Sequence, residues 1–207
     1  RLSDGVQTCA LPIYEKNLTT NRRIELFDGL MKEIITKDFY NWLIENKFFT
    51  QPASTKYHGS YEGGLFDHSY EVTQVLLDMT DRLNLKWKRP ESPYIIGMFH
   101  DLCKIDNYLT IVDEPGETMM GTNEVKGKEV HFEYNPNTIL KGHGEKSIML
   151  LSQFIALTEE ELFCIRFHMG AYEGQDQWDN YDKAIRKYET VLFTHTADMY
   201  ASKVKNT

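Results

Sequence analysis

Apolar side chains recur at helical spacing over most of the chain. Ile24, Phe27, Leu30, Met31 and Ile34 form one face of RRIELFDGLMKEI, for which Asn21 is the predicted N-cap. A second short helix is predicted over Asp38 to Asn46. Thr50 to Gly64 carries Pro52, Gly59, Gly63 and Gly64 and reads as a loop leading into a long amphipathic helix, Leu65 to Leu83. Pro93 stands at a helix start, where its missing N–H costs nothing. The run YIIGMFHDLCKI after it reads as a buried helix, with a short buried strand as the alternative. From Tyr108 to Pro136 the period changes: YLTIV and EVHFEY flank a Gly-rich, charged centre, the pattern of a β-hairpin or flap. Helices resume from about Glu145 to Leu157, and Thr158 with Glu161 forms a capping box before ELFCIRFHM, which Gly170 stops. A final helix is expected from about Tyr181 to Lys203. The fold class expected is therefore mainly α, with a small β-hairpin insertion over 108–136.

At 207 residues, with 41% hydrophobic and 26% charged side chains, the chain is long enough to bury one core without disulfides. No repeat or linker divides it, so 14–207 is read as a single domain. Residues Arg1 to Ile13 are set apart, because RLSDGVQTCALPI resembles the conceptual translation of a DNA-library sequencing adapter. Asp4 and Gln7 interrupt the apolar stretch that a secretory signal would need. No apolar run approaches the roughly 18 residues that span a bilayer. With 31 acidic against 23 basic residues the net charge is -8, so long-duplex nucleic acid is not an expected partner. Cys9, Cys103 and Cys164 have neither metal-type pair spacing nor a disulfide framework, and a reducing cytoplasm is the expected setting.

The chemistry lies in residues scattered along successive predicted helices: His68, the doublet His100-Asp101, His143, His168 and Asp198. A carboxylate inside MFHDLC costs several kcal/mol to bury unless a cation or a set of donors compensates, and a metal ion would do so. Lys104, at i+4 from His100 and i+3 from Asp101, shares their helical face. His195 stands one turn before Asp198, either as a donor to a ligand or without a role.

The phrases GGLFDHSYEV, FHDLCKI, GHGEKS, IRFHMG and HTADMYASK fall in the order found in the HD-domain metal-dependent phosphohydrolase superfamily. The chain resembles in particular the subgroup with two further histidines, which includes HD modules of bacterial 3′-to-5′ exoribonucleases and small stand-alone bacterial and phage proteins. The resemblance covers roughly residues 52–203. It implies an HD-type helical bundle in which His68, His100, Asp101 and Asp198 hold one metal while Asp101 bridges to a second held by His143 and His168. Members with one metal retain only the first four ligands. Neutral imidazoles with shared carboxylates suit one or two divalent transition-metal ions, Fe, Mn, Ni, Co or Zn. The implied activity is hydrolysis of a phosphoester or phosphoanhydride bond of a nucleotide or short oligonucleotide by a metal-activated hydroxide. Asp101 and Lys104 are the catalytic residues under this reading, and Lys104, Arg166 and His58 touch substrate.

Each of the substrate assignments has a plainer alternative. Lys104 would otherwise be a solvated helix end, Arg166 a surface salt bridge, and His58 a loop histidine rather than a leaving-group acid. Lys56 and Lys141 are further phosphate candidates, and Trp178, Tyr172 and Phe132 are candidates for stacking on a base. Two other activities stay open: a di-iron oxygenase of the HD fold, and a non-catalytic metal-containing nucleotide-binding protein.

Overall fold

Two threonines start the first helices in the computed structural model, which describes residues 18–113, 129–139 and 142–205. Thr19 accepts the Arg22 N–H through its side chain (3.3 Å), opening α1 (Thr20–Met31). Thr36 does the same for Phe39 (3.2 Å) at α2 (Lys37–Glu45). Helix α1 therefore begins before the expected cap Asn21, because the Thr19 hydroxyl satisfies a first-turn donor that the backbone cannot. The adapter-like segment, Lys141 and the charged centre of the expected hairpin lie outside the described residues.

The long amphipathic segment forms α3 (Gly64–Leu83), and α4 (Ser92–Phe99) follows with Pro93 in its first turn. These two helices cross closely at Gly97. A Cβ built there would stand 2.6 Å from the Thr73 Cα, so no larger residue fits without separating them. The first turn of α3 is also tied to α1: the buried Arg23 guanidinium donates to both oxygens of the buried Asp67 carboxylate, at 2.8 and 3.0 Å.

One expected element is broken. The run YIIGMFHDLCKI is not a continuous helix: α4 ends at Phe99, Asp101 has φ -104° and ψ 21°, and a 3-10 turn follows over Leu102–Ile105. The cause is local. The His100 ring takes the Gly97 carbonyl (2.9 Å), the acceptor that the residue 101 N–H would need in a continued helix.

Strands β1 (Tyr108–Asp113) and β2 (Glu129–Tyr134) pair antiparallel, the hairpin that the alternating pattern predicts, in a register that sets Tyr108 opposite Tyr134 and Ile111 opposite His131. Helix α5 (His143–Leu151) is fastened to this hairpin. The buried Lys146 ammonium donates to Asn107 Oδ1 (2.8 Å), Thr138 Oγ1 (2.6 Å) and the Asp106 carboxylate. One residue on, Ser147 Oγ accepts the Cys103 N–H at 3.0 Å.

The expected capping box is present at α6 (Glu159–Arg166), where Thr158 and Glu161 exchange hydrogen bonds. The single final helix is not: α7 (Trp178–Lys187) stops at an extended Tyr188, α8 (Thr190–Tyr200) begins afresh, and a π turn ends it at Ala201–Lys205. Polar ties to α6 explain the interruption. The Tyr188 hydroxyl donates to Glu159 (2.7 Å) and the buried Thr190 hydroxyl to Glu160 (2.7 Å), and an unbroken helix would not present both.

Among the described residues the fold is mainly α, with eight α-helices and one two-stranded sheet. One cluster of buried apolar side chains runs from Phe27 to Ala201, with Phe27, Phe39, Phe48, Phe66 and Phe99 among its fully buried members. No helix among them is long and apolar enough to cross a membrane.

The Arg23–Asp67 pair gives a direct test. Arg23→Ala leaves a carboxylate buried without its guanidinium, and unfolding in urea should show a loss of about 3–5 kcal/mol.

Candidate metal centre

Helices α3, α4, α6 and α8 pack against one another, and α5 packs on α6 and on the 3-10 turn. Each of these helices carries, or ends beside, at least one of the residues singled out in the sequence. His68 lies in the first turns of α3, His100 and Asp101 at the end of α4, His143 opens α5, His168 follows α6, and Asp198 is in the last turn of α8. All six converge. Three overlapping groups, His68 with His100 and Asp101, His100 with His168 and Asp198, and Asp101 with His143 and His168, each place their donor atoms within 4.8 Å of one another.

The two histidines that end helices are set by the same device. His100 Nδ1 meets the Gly97 carbonyl at 2.9 Å, and His168 Nδ1 meets the Ile165 carbonyl at 2.7 Å. A carbonyl only accepts, so Nδ1 carries the proton in both. In the neutral ring Nε2 then holds a lone pair pointed into the cluster. His195, on α8, stands 2.7 Å from the His168 carbonyl through its Nδ1 and so fixes the backbone of the second of these histidines. Gly170 makes room for that ring, since a Cβ there would lie 2.6 Å from it.

Asp101 sits between two sets of imidazoles. Its Oδ2 is 3.6 Å from His68, 3.5 Å from His100 and 2.6 Å from the Lys104 ammonium. Its Oδ1 is 3.4 Å from His168 and 3.5 Å from His143. Asp198 Oδ1 lies 3.1 Å from His68 and 4.0 Å from His100.

Burial alone would raise the Asp101 pKa, but the Lys104 and His100 charges overrule it and hold the carboxyl well below the usual range. Asp198 is likewise held low against burial, by the His68 hydrogen bond and charge. Burial works against the Lys104 ammonium, yet Asp101 keeps its pKa above the ordinary lysine value. Hydrogen bonding to Asp101, then to Cys103, pushes His143 up to about 10 against burial.

Two carboxylates and four imidazoles thus converge on one small space, with the Lys104 ammonium beside them. Among the described residues the buried His168 Nε2 atom has no hydrogen-bond partner, which is costly for a polar atom unless something else takes its lone pair. Imidazole nitrogen with carboxylate oxygen is a donor set suited to divalent transition metals, so these residues fit such an ion.

A cavity of about 240 Å³ opens beside the cluster, and Asp101, Lys104, His143, His195 and Asp198 reach its wall. His58 lines it too, its ring 5.1 Å from that of His68, and burial followed by the charges of His68 and Lys104 lowers its pKa to about 4. Arg166 is not brought to this wall: it pairs with Glu145 (2.7 Å) and Glu173 (3.0 Å) and lies over the Phe167 ring. Of the three aromatic candidates, Tyr172 lines the cavity, whereas Phe132 lines a separate groove and Trp178 lines neither. Sequence reading passed over Tyr57, Tyr134, Met199 and Lys203, all of which line it. The HTADMYASK phrase holds a signal for two of them, since Met199 and Lys203 follow Asp198 by one and five positions.

No protein-family model matches the chain, and no solved structure matches it. Dihydroneopterin 2′,3′-cyclic phosphate phosphodiesterase of Methanocaldococcus jannaschii is 39% identical over 61 residues, 28% of this chain. The match spans 24% of that protein's length, about a quarter.

The His195 contact is testable apart from catalysis. His195→Ala removes the support of the His168 backbone but none of the six donors, and affinity for Zn²⁺ measured by chelator competition should fall about 10- to 100-fold.

Proposed function

We propose that the chain is a metal-dependent phosphohydrolase acting on a phosphoester or phosphoanhydride of a nucleotide or short oligonucleotide, through a dinuclear site of the HD type. The observation that carries this reading is the placement of Asp101, whose two oxygens face different imidazole groups. His68, His100, Asp101 and Asp198 would hold one ion, and Asp101, His143 and His168 a second. The partial match to a phosphodiesterase acting on a cyclic phosphate supports the same class of chemistry. When bound, two divalent transition-metal ions supply Lewis-acid polarisation of a phosphoryl group and activation of water.

The chain's own residues define the rest. His100 and His168 keep their Nε2 lone pairs aimed inward because backbone carbonyls fix their tautomers. Lys104 remains charged beside the cavity, anchored on Asp101 at 2.6 Å, where its ammonium faces both the shared carboxylate and any phosphate placed against it. His58 would meet substrate from the cavity wall, where burial, followed by the charges of His68 and Lys104, lowers its pKa to about 4 and favours the neutral ring over the protonated one. Arg166, held by two carboxylates, braces α5 to the turn after α6 rather than contacting phosphate.

The full chain purified without chelator should hold between one and two transition-metal ions, and stripping them should lower the melting temperature. A panel of phosphomonoesters, anhydrides and 2′,3′-cyclic phosphates, with dihydroneopterin 2′,3′-cyclic phosphate among them, should then yield hydrolysis with at least one of Mn, Fe, Ni, Co or Zn. Metal content staying under about a tenth of an ion per chain after reconstitution would overturn the reading.

Two variants separate the roles. Asp101→Ala should deplete metal and abolish turnover, more severely than loss of any one histidine, because both ions lose a shared charge. Lys104→Ala should retain metal and lose about 2–4 kcal/mol of transition-state stabilisation, roughly 30- to 1000-fold in kcat, with Lys104→Arg recovering only part. Metal analysis beside steady-state kinetics checks both.

A further inference from the structure

The outer half of the cavity differs in chemistry from its inner end. Asp101, Lys104 and Asp198, only 4%, 7% and 14% exposed, form the inner end, whereas the exposed Tyr57, Tyr134 and Tyr172 come to the mouth from three separate segments: the loop before α3, the end of β2, and the turn after α6. These three rings are 79%, 73% and 64% exposed, so none is there to fill the core. Each is nonetheless placed by a defined piece of backbone or a neighbouring ring. Ser54 Oγ accepts the Tyr57 N–H at 2.8 Å and donates to the His58 carbonyl at 2.8 Å. Tyr134 leans on its cross-strand partner Tyr108, with ring centroids 5.5 Å apart, and Tyr108 is itself buried. Tyr172 closes the 3-10 turn that begins at Gly170, against which His195 is wedged.

A tyrosine ring on an ordered backbone has only two side-chain torsions to lose when a flat ligand stacks on it, and every heteroaromatic base has a π-face to offer. We propose that this tyrosine mouth is a recognition site for a planar heterocycle, so that the substrate is a phosphate ester carrying such a ring and not a simple sugar or alkyl phosphate. The inference rests on the phosphohydrolase reading only for the direction in which the phosphate points. The ring takes the mouth and the phosphate the His/Asp end.

Binding of uncharged, unhydrolysable probes tests the mouth without relying on turnover. Adenosine, guanosine and ribose are titrated against the full chain as purified, by isothermal calorimetry and saturation-transfer NMR. The nucleosides should bind at least about tenfold more tightly than ribose. Tyr134→Leu and Tyr172→Leu should each weaken nucleoside binding about tenfold, while Tyr134→Phe and Tyr172→Phe, which keep the ring, should not. Metal content of all variants should match that of the parent chain, showing that the inner end is intact. Equal binding of ribose and nucleosides, no saturable binding of either nucleoside, or leucine variants that bind as the parent does would overturn the proposal. Hydrolysis of the phosphate panel without nucleoside preference would remove the mouth site alone. Nucleoside binding without bound metal or hydrolysis would remove the phosphohydrolase reading and leave the mouth standing.

Discussion

The site depends on an imidazole N–H capturing a carbonyl three residues earlier at a helix end. Gly97 and His100 form this contact at the end of α4, and Ile165 and His168 form it just past α6. One hydrogen bond has three effects at once. It satisfies a carbonyl left over at the helix terminus, it diverts the chain out of the helix, and it fixes which ring nitrogen has the free lone pair. Asp101 owes its position to the second effect, since only the departure from α-helical geometry brings its carboxylate between the two groups of histidines.

Around these contacts the fold holds charge where solvent is scarce. Asp101 and Lys104 are both buried and satisfy one another, and Asp67 is matched by Arg23 one residue before His68. Glu160 and Glu161, also buried, collect Lys88, Arg89, Ser92, Thr158 and Thr190 around the start of α6. Such networks orient helices more than they stabilise them, because the desolvation of each charge offsets much of its attraction. Here they hold fixed the helices that carry the six donors.

Much of this was legible in the chain. The amphipathic period located most of the helices, the Thr158 capping box was present as written, and the alternation of YLTIV and EVHFEY marked the two paired strands. Asp101 stood out because a carboxylate inside an apolar run needs an explanation, and the other five His and Asp residues were marked by the resemblance of their phrases, in order, to the HD pattern. The breaks were not legible: nothing in YIIGMFHDLCKI reveals that a histidine ring will claim its own helix's carbonyl, and the stop at Tyr188 depends on glutamates nearly 30 residues earlier. Arg166, two residues before His168, left substrate contact and a surface salt bridge as alternatives. Its partners Glu145 and Glu173 come from the start of α5 and a later turn, a relation that helical spacing cannot express.

Lys146 gives the hairpin a mechanical meaning. All three of its acceptors, Asp106, Asn107 and Thr138, belong to the hairpin's base, and an ammonium has three protons to give. With its donor capacity fully used and its side chain out of water, it cannot let go of one acceptor without leaving a buried charge underbonded. The hairpin's base and the first turn of α5, which His143 opens, are thus fastened to each other through one side chain. One lysine thereby joins the helix that carries a donor of the cluster to the hairpin that carries an aromatic ring of the cavity.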